Sequence, residues 1–154
     1  MKKVSVLIKH HAGPTGDVLI CRKNGGPWEF PVTKVRTNEV SPEAAERAAW
    51  EQVGIYVSGA KLEMIGHNRP MDGKVEHIAE GNITHDNHTK SAWHAYYTAV
   101  NKWQTEPVAG AYDEFKWVHP TELAQFEFAG DDVNFLAKYD PWVNGREIKD
   151  VRMF

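Results

Sequence analysis

The chain has 154 residues, 42% of them hydrophobic and 11% aromatic, which is enough for one buried core and too little for two full domains, so we expect a single domain over residues 1–154. The formal net charge of -3 and the pI near 6.2 supply no overall basic field. This charge argues against binding to long DNA or RNA and leaves small ligands open.

The first apolar stretch, Val4–Ile8, is too short for a signal peptide, because the polar residues 9–11 follow it directly. No later segment has the length and apolar character of a membrane span, so we expect a cytoplasmic protein without a membrane partner. Cys21 stands alone in the apolar run 18–21. It cannot form an internal disulfide, and its setting favours a buried thiol over a catalytic nucleophile.

In chain order, Val4–Lys9 and Asp17–Lys23 predict two β-strands. The glycine and proline cluster between them predicts a turn, so the two strands form an antiparallel pair. A second turn leads to a brief extended piece at Trp28–Phe30. We then expect a polar loop from Val32 to Val40.

The clearest predicted element is a helix over Ser41–Val53. Ser41 is suited to cap it, Pro42 fits the first helical position, and Glu43 places negative charge near the positive end of the helix dipole. Gly54 marks its end, because glycine adopts the left-handed C′ conformation without steric cost.

The remaining sequence predicts more strands and then short helices. The predicted strands are Lys61–His67, Val75–Thr84, Trp93–Asn101 and Phe115–Val118. The predicted helices open at Pro120–Leu123 and cover Asp131–Tyr139, the second being stopped by Pro141. This order indicates an α+β fold in which a mixed sheet packs against a few helices.

The segment from Pro31 to Ile55 carries the most specific pattern in the chain. Its spacing resembles the Nudix box, which runs Gly, five residues, Glu, seven residues, Arg-Glu, an aliphatic, any residue, Glu-Glu, any residue, Gly, aliphatic. The residues in register are Glu39, Arg47, Ala49, Glu51, Gly54 and Ile55. Thr33, Ala48 and Gln52 replace the first Gly, the first helix Glu and the last Glu. The chain is therefore identified as a member of the Nudix (MutT-like) superfamily with a degenerate box, which implies an α/β/α sandwich.

The resemblance also implies a metal site. In the family, three helix glutamates bind Mg²⁺ or Mn²⁺, which bridges pyrophosphate oxygens. Here Glu51 is the sole anionic residue left at these positions, and Gln52 offers only an amide oxygen, so we expect weak metal binding. Arg47 and Glu39 correspond to the family's loop-to-helix ion pair, and with Glu51 they are the catalytic candidates.

Helical geometry supports a ligand face on this helix. At about 100° per residue, Arg47, Ala48, Glu51 and Gln52 fall within an arc of about 140°. The residues expected behind them, against the sheet, are Ala45, Ala49 and Val53. The alternative is a purely structural role, in which Glu43, Arg47 and Glu51 form a surface ladder of ion pairs at successive i,i+4 spacings.

Metal binding is expected to be weak unless a later acid compensates for the missing carboxylates, as often happens in the family that the box resembles. The candidates are Glu76, Glu80, Asp86 and Glu114. We choose Glu114, because the segment from Asp113 to Val118 resembles the acidic stretch before the family's late strand. The alternative is an exposed acid at a strand start.

Four residues are candidates for substrate binding. Lys34 and Arg36 alternate along the loop before the helix, where they can meet phosphate or simply be solvated. Trp28 is suited to stack a nucleobase, as is Trp93, with packing in the core as the alternative. Trp142 is a candidate for a subunit contact in a homodimer.

A cluster of histidines raises the question of a zinc site. The residues are His77, His85, His88 and His94. Their spacing matches no zinc signature, and a solvated loop accounts more simply for His85 and His88.

The sequence therefore predicts a metal-dependent hydrolase of nucleoside diphosphates linked to another moiety, with reduced activity. Its partner is a small phosphorylated, nucleotide-like ligand, and its cofactor is Mg²⁺ or Mn²⁺. The alternative is a catalytically silent Nudix fold that serves as a ligand-sensing or protein-interaction module.

Overall fold

The computed structural model describes residues 2–10, 16–58, 62–71, 74–79 and 93–139, with the backbone alone for 68–71 and 74–79. The strands are β1 (Lys2–Lys9), β2 (Val18–Arg22), β3 (Val32–Lys34), β4 (Glu63–Met71), β5 (Lys74–Ala79), β6 (Trp93–Val100) and β7 (Glu114–Val118). The helices are α1 (Ser41–Val53), a 3-10 helix at Pro120–Gln125 and α2 (Gly130–Lys138).

The described strands form one mixed sheet with β1 at its centre. The order across the sheet is β5, β4, β6, β1, β2, β7, and β3 also pairs with β1. β1 and β6 run parallel along their whole length, whereas the other pairs are antiparallel. The predicted α+β class and the predicted antiparallel pairing of the first two strands are confirmed.

The start of the expected loop from Val32 to Val40 is wrong, because its first three residues form β3. This short strand pairs antiparallel with β1, with Val4 opposite Thr33 and Ser5 opposite Val32. Hydrogen bonding to a distant strand therefore overrides the polar character of the segment. Trp28 and Glu29 make isolated bridges on either side, as the predicted extended piece requires.

The later elements lie where the sequence predicts them, with shifted ends. β4 starts at Glu63 and continues to Met71, four residues beyond its predicted end. β5 covers the first part of the strand predicted over Val75–Thr84, and residues 80–84 lie outside the described residues. The predicted stop at Pro141 also lies outside them. Within the described residues, no helix has the length and apolar character needed to cross a membrane.

α1 has the predicted bounds, but its N-cap residue is not the predicted Ser41. The N-cap residue is Val40, and its N–H donates a hydrogen bond of 3.1 Å to a carboxylate oxygen of Glu43. Ser41 is the first helical residue, and its hydroxyl bonds instead to the hydroxyl of Tyr97 in β6. Gly54 ends the helix with φ 72°, the left-handed conformation that its identity predicts.

The two faces of the sheet carry separate cores. On one face, alanines and Val53 of α1 pack against Val6 and Ile8 of β1. On the other face, Phe135 of α2 packs against Leu7 and Tyr96. Alternation along β1 sends neighbouring side chains to opposite helices. The sheet thus lies between α1 and α2, which confirms the expected sandwich.

Candidate active site

The loop before α1 is fastened to the helix by a two-pronged ion pair. Nε and one terminal nitrogen of Arg47 donate to the two carboxylate oxygens of Glu39, both at 2.9 Å. The side chains are only 14% and 13% exposed. The hydrogen bond from Arg47 lowers the pKa of Glu39 more than burial raises it. The ion pair that the resemblance implies is therefore present.

Arg47 also ties α1 to β3. It donates to the hydroxyl of Thr33 at 3.1 Å and to the carbonyl oxygen of Lys34 at 2.6 Å. Thr33 occupies the position where the box has glycine, so this departure adds a hydrogen-bond acceptor for the half-buried guanidinium. The sequence pattern marks Thr33 as a departure but does not reveal this contact.

Glu51 lies at the outer edge of the same network. One carboxylate oxygen accepts from Arg47 at 3.0 Å, and the other is 3.5 Å from a nitrogen of Arg36. The Glu51 side chain is 42% exposed and therefore accessible to a ligand. Of the alternative ladder of ion pairs, only the pair between Arg47 and Glu51 forms. Glu43 instead accepts a hydrogen bond from the backbone N–H of Val40.

The expected ligand face of α1 is narrower than predicted. Ala48 is fully buried in the core, whereas Gln52 is half-buried beside exposed Glu51. The assignment of Ala48 to the ligand face is wrong, because Ala44, Ala45, Ala48 and Ala49 form one broad apolar stripe that packs on the sheet. No group of three or more His, Cys, Asp or Glu side chains among the described residues is arranged to hold a metal ion.

Glu114 lies on the face of the sheet opposite to α1. It alternates with Phe115 and Trp117, which pack in the core on the α1 side, so its side chain points to the other face of the sheet. There it accepts a hydrogen bond of 2.7 Å from Nε of Arg22. Its role as a metal ligand stays a prediction. The Glu76 side chain, Glu80 and Asp86 lie outside the described residues.

Two of the substrate-binding candidates are exposed cations, and the two tryptophans are packed in the protein. Lys34 is exposed on β3, and the Arg36 side chain is 63% exposed beside Glu51. Trp28 is 5% exposed, with the Arg22 guanidinium 4.5 Å over its ring. Trp93 is also buried, so both tryptophans occupy the packed environments of the alternative interpretation. Trp142 lies outside the described residues.

Of the four histidines, the structure describes the side chain of His94 alone. His85 and His88, together with the side chain of His77, lie outside the described residues. His94 is buried in β6, where its ring nitrogens are hydrogen bonded to Ser5 and Asp131. This environment is polar and hydrogen bonded within the protein.

A polar cavity of about 250 Å³ lies on the α2 face of the sheet, and the sequence gives no direct sign of it. Its lining includes Lys3, Ser5, Glu29, Val32, His94, Asp131 and Asp132. Burial raises the pKa of Asp132 to about 6, although a 2.7 Å hydrogen bond from Tyr96 opposes this change. These residues are far apart in the chain, and only the strand pairing brings them together.

The mixed sheet between two helices, with an arginine of α1 holding the preceding loop through a glutamate, defines a Nudix-type domain. A model of the family described as NUDIX domain matches residues 1–139, so the chain belongs to the NUDIX family.

Solved structures share this fold at low sequence identity. A MutT protein from Methanosarcina mazei Go1 has a TM-score of 0.60 and 16% identity, with 100% of this chain and 96% of that chain covered. A C. elegans Ap4A hydrolase has a TM-score of 0.59 and 13% identity, with 99% and 98% covered. The NUDIX domain of Shewanella oneidensis NrtR, complexed with ADP ribose, has a TM-score of 0.57 and 13% identity, with 100% and 88% covered. No curated protein matches the chain in sequence.

Proposed function

We propose that this protein binds a small phosphorylated, nucleotide-like ligand beside the exposed edge of α1 and hydrolyses its pyrophosphate linkage slowly. The observation that carries this proposal is the position of Glu51, an accessible carboxylate flanked by Arg47 and Arg36. Family membership supports the reaction class. The fold shared with an Ap4A hydrolase is compatible with such a ligand.

Arg36, the exposed cation beside Glu51, supplies the phosphate contact at this edge of α1. Arg36 is exposed and holds Glu51 by a single long contact of 3.5 Å, so it can leave this carboxylate at little cost. Its planar guanidinium then binds a phosphate through two hydrogen bonds. Lys34 remains a candidate for a phosphate contact from the other side of β3, because it lies opposite Lys3 and alternates with Thr33. Arg47 stays in place, because its bonds to Glu39 and the Lys34 carbonyl hold it.

The donor set fits a divalent ion only in part. Glu51 and Gln52 offer a carboxylate and an amide oxygen at adjacent positions of α1, which is a small share of the six oxygens that Mg²⁺ requires. Waters and ligand phosphates complete such sites in other proteins. A bound ion supplies neutralisation of the charge that develops on the phosphates and activation of water. With so few protein ligands, we expect weak metal affinity and slow turnover.

A catalytically silent, ligand-sensing module is the second candidate. The complete burial of Ala48 favours this candidate. Residue 48 lacks a carboxylate, and its position in the core also keeps it from contacting a ligand. The NUDIX domain of Shewanella oneidensis NrtR complexed with ADP ribose is an example of this fold holding a nucleotide-like compound.

One assay separates the two candidates. The protein is incubated with Mg²⁺ or Mn²⁺ and a panel of dinucleotides, nucleotide sugars and nucleoside triphosphates, and phosphate-containing products are quantified. Glu51→Gln should reduce turnover by about 100-fold or more, because it removes the remaining carboxylate. Glu46→Gln is the matched control, since it alters a glutamate about 140° away around the same helix.

The outcomes assign the function. Turnover that is lost in Glu51→Gln and kept in Glu46→Gln supports the hydrolase. Ligand binding by calorimetry without turnover supports the module. A protein that neither binds nor hydrolyses any compound of the panel contradicts the proposal.

A further inference from the structure

A second cavity, of about 490 Å³, lies at the C-terminal end of α1. One part of its lining is the segment 56–58, which follows the helix. The other part is the end of β6 together with the turn that comes after it. Sites for small molecules have volumes of roughly 300 to 1,000 Å³. The cavity is therefore large enough for a compound of one or two rings.

The position of this cavity separates it from the exposed edge of α1 and from the polar cavity. Residues 3–5 of β1 pair with β3, which Arg47 holds, whereas Ile8 and Lys9 pair with Ala99 and Val100 of the new cavity. Among the described residues, the two cavities have no lining residue in common. The new cavity thus lies at the other end of β1 from the proposed phosphate contacts.

The lining of the cavity is mainly apolar. Val57 and Ala99 are buried and belong to the core on the α1 side of the sheet. Three further side chains are exposed, namely Tyr56 at 56%, Val100 at 41% and Trp103 at 70%. Large apolar side chains that are exposed together around a concavity are typical of a ligand site. Because two of them are flat aromatic rings, they favour a planar aromatic ligand.

The turn that carries Trp103 is held by hydrogen bonds. The buried side-chain amide of Asn101 donates to the carbonyl oxygen of Thr105 at 2.8 Å and accepts from the Thr105 N–H at 2.9 Å. The Asn101 N–H donates to the carbonyl oxygen of Lys9 at 2.7 Å, which ties the turn to β1. Gln104 has φ 50°, an uncommon conformation for a residue with a side chain. Since the turn is ordered in advance, Trp103 can contact a ligand with little further loss of backbone entropy.

The charge of the lining favours an anionic ligand. Among the lining residues that the structure describes, Lys102 alone is charged. Its Nζ stands 5.2 Å from the centroid of the Trp103 ring, so the cation is next to an aromatic surface. Ser58 adds a hydroxyl that can donate a hydrogen bond. Lys102 attracts a negatively charged group and repels a positively charged one.

We propose that this cavity is a binding site for a small planar aromatic compound that carries a carboxylate. The ring system of the ligand packs against Tyr56 and Trp103, and its carboxylate pairs with Lys102. The binding does not depend on the reaction proposed beside α1, because different residues carry it.

The test uses 2-naphthoate, with the uncharged 2-naphthamide as its matched analogue. Binding to the whole protein is measured by calorimetry, and proton–nitrogen NMR follows the indole N–H signal of Trp103. We expect this signal to shift and naphthoate to bind about two- to fivefold more tightly than naphthamide, as an exposed ion pair provides. Lys102→Met should abolish the difference between the two compounds. Trp103→Ala should weaken the binding of both by about tenfold or more.

Two variants serve as matched controls. Trp50→Ala removes another exposed tryptophan, which lies on α1 outside the described lining. Lys116→Met removes an exposed lysine of β7. Both variants should bind naphthoate like the parent. All four substitutions alter exposed side chains, so each variant should fold.

The proposal is overturned if naphthoate does not bind at millimolar concentration, if naphthamide binds as tightly as naphthoate, or if Trp103→Ala and the parent bind equally. Sedimentation velocity tests the other occupant of such a surface, a second copy of this chain. A dimer that dissociates in Trp103→Ala would also overturn the proposal, because the partner would then cover the cavity.

Discussion

Both carboxylate oxygens of Glu39 are 2.9 Å from nitrogens of Arg47, so the guanidinium meets the carboxylate edge to edge. This geometry needs the planar fork of arginine and cannot be reproduced by a lysine. It fixes the end of the loop against α1 and thereby sets where Lys34 and Arg36 stand. The pair is structural in the first place, and it would be retained whether or not the protein turns over a substrate.

Replacing Arg47 by lysine should therefore destabilise the fold. Glu39 and Thr33 lose their partners in a half-buried setting, and we expect a loss of about 2 kcal/mol in the free energy of unfolding. Urea denaturation measures it. Arg36→Lys is the control, because this side chain is 63% exposed and its loss should cost less than about 0.5 kcal/mol. Equal losses in the two variants would contradict this account.

Asp132 should make stability depend on pH. Burial raises its pKa from 3.8 to about 6, so the folded protein binds more protons than the unfolded chain between these values. Stability therefore falls as the pH rises from about 4 to about 6, by on the order of 2 to 3 kcal/mol. Asp132→Asn should flatten this slope and keep an acceptor for Tyr96. Thermal melting across this range measures it, with exposed Asp113→Asn as the control, which should leave the slope unchanged.

Metal affinity should rise when a carboxylate returns to the exposed edge of α1. Gln52→Glu places a second anion beside Glu51, and we expect Mn²⁺ to bind about tenfold more tightly in calorimetry. Ala48→Glu instead puts a carboxylate into a fully buried position and should cost at least about 2 kcal/mol of stability without metal. Unchanged Mn²⁺ binding in Gln52→Glu would show that this edge of α1 is not the metal site.

Gly54 should tolerate no side chain. Its φ of 72° disfavours other residues, and an added Cβ would lie 3.0 Å from Cγ2 of Val108. We expect Gly54→Ala to lower the free energy of unfolding by about 1 to 2 kcal/mol. Gly110→Ala is the matched control, because nothing lies within 4 Å of its added Cβ. A neutral Gly54→Ala in chemical denaturation would contradict the strain argument.

The sequence predicts those features that depend on neighbours in the chain. α1 has its predicted bounds because Pro42, Glu43 and Gly54 are local signals. The spacing of Glu39 and Arg47 predicts their ion pair through the family resemblance. Ala44 and Ala48 stand one helical turn apart, so the sequence places them on the same side of α1. A broad alanine stripe does not determine the rotation of the helix about its axis relative to the sheet, and the burial of Ala48 depends on that rotation.

Features that depend on distant pairing could not be predicted in this way. β3 exists because β1 offers it backbone partners, and three residues are too few for the sequence alone to predict a strand. The hydrogen-bonded chain of Ser5, His94 and Asp131 joins positions separated by 89 and 37 residues. The register of β1 against β6 brings Ser5 and His94 together, and the packing of α2 on the sheet adds Asp131.

Two consecutive residues of β3 serve opposite sides of the molecule. Val32 borders the polar cavity, whereas Thr33 accepts from Arg47 beside α1. A slip of this strand by one position would exchange the two side chains and spoil both surfaces together. The polar cavity and the Arg47 contacts beside α1 are thus coupled through the peptide bond between Val32 and Thr33. A change that shifts β3 at one of these regions displaces the other as well.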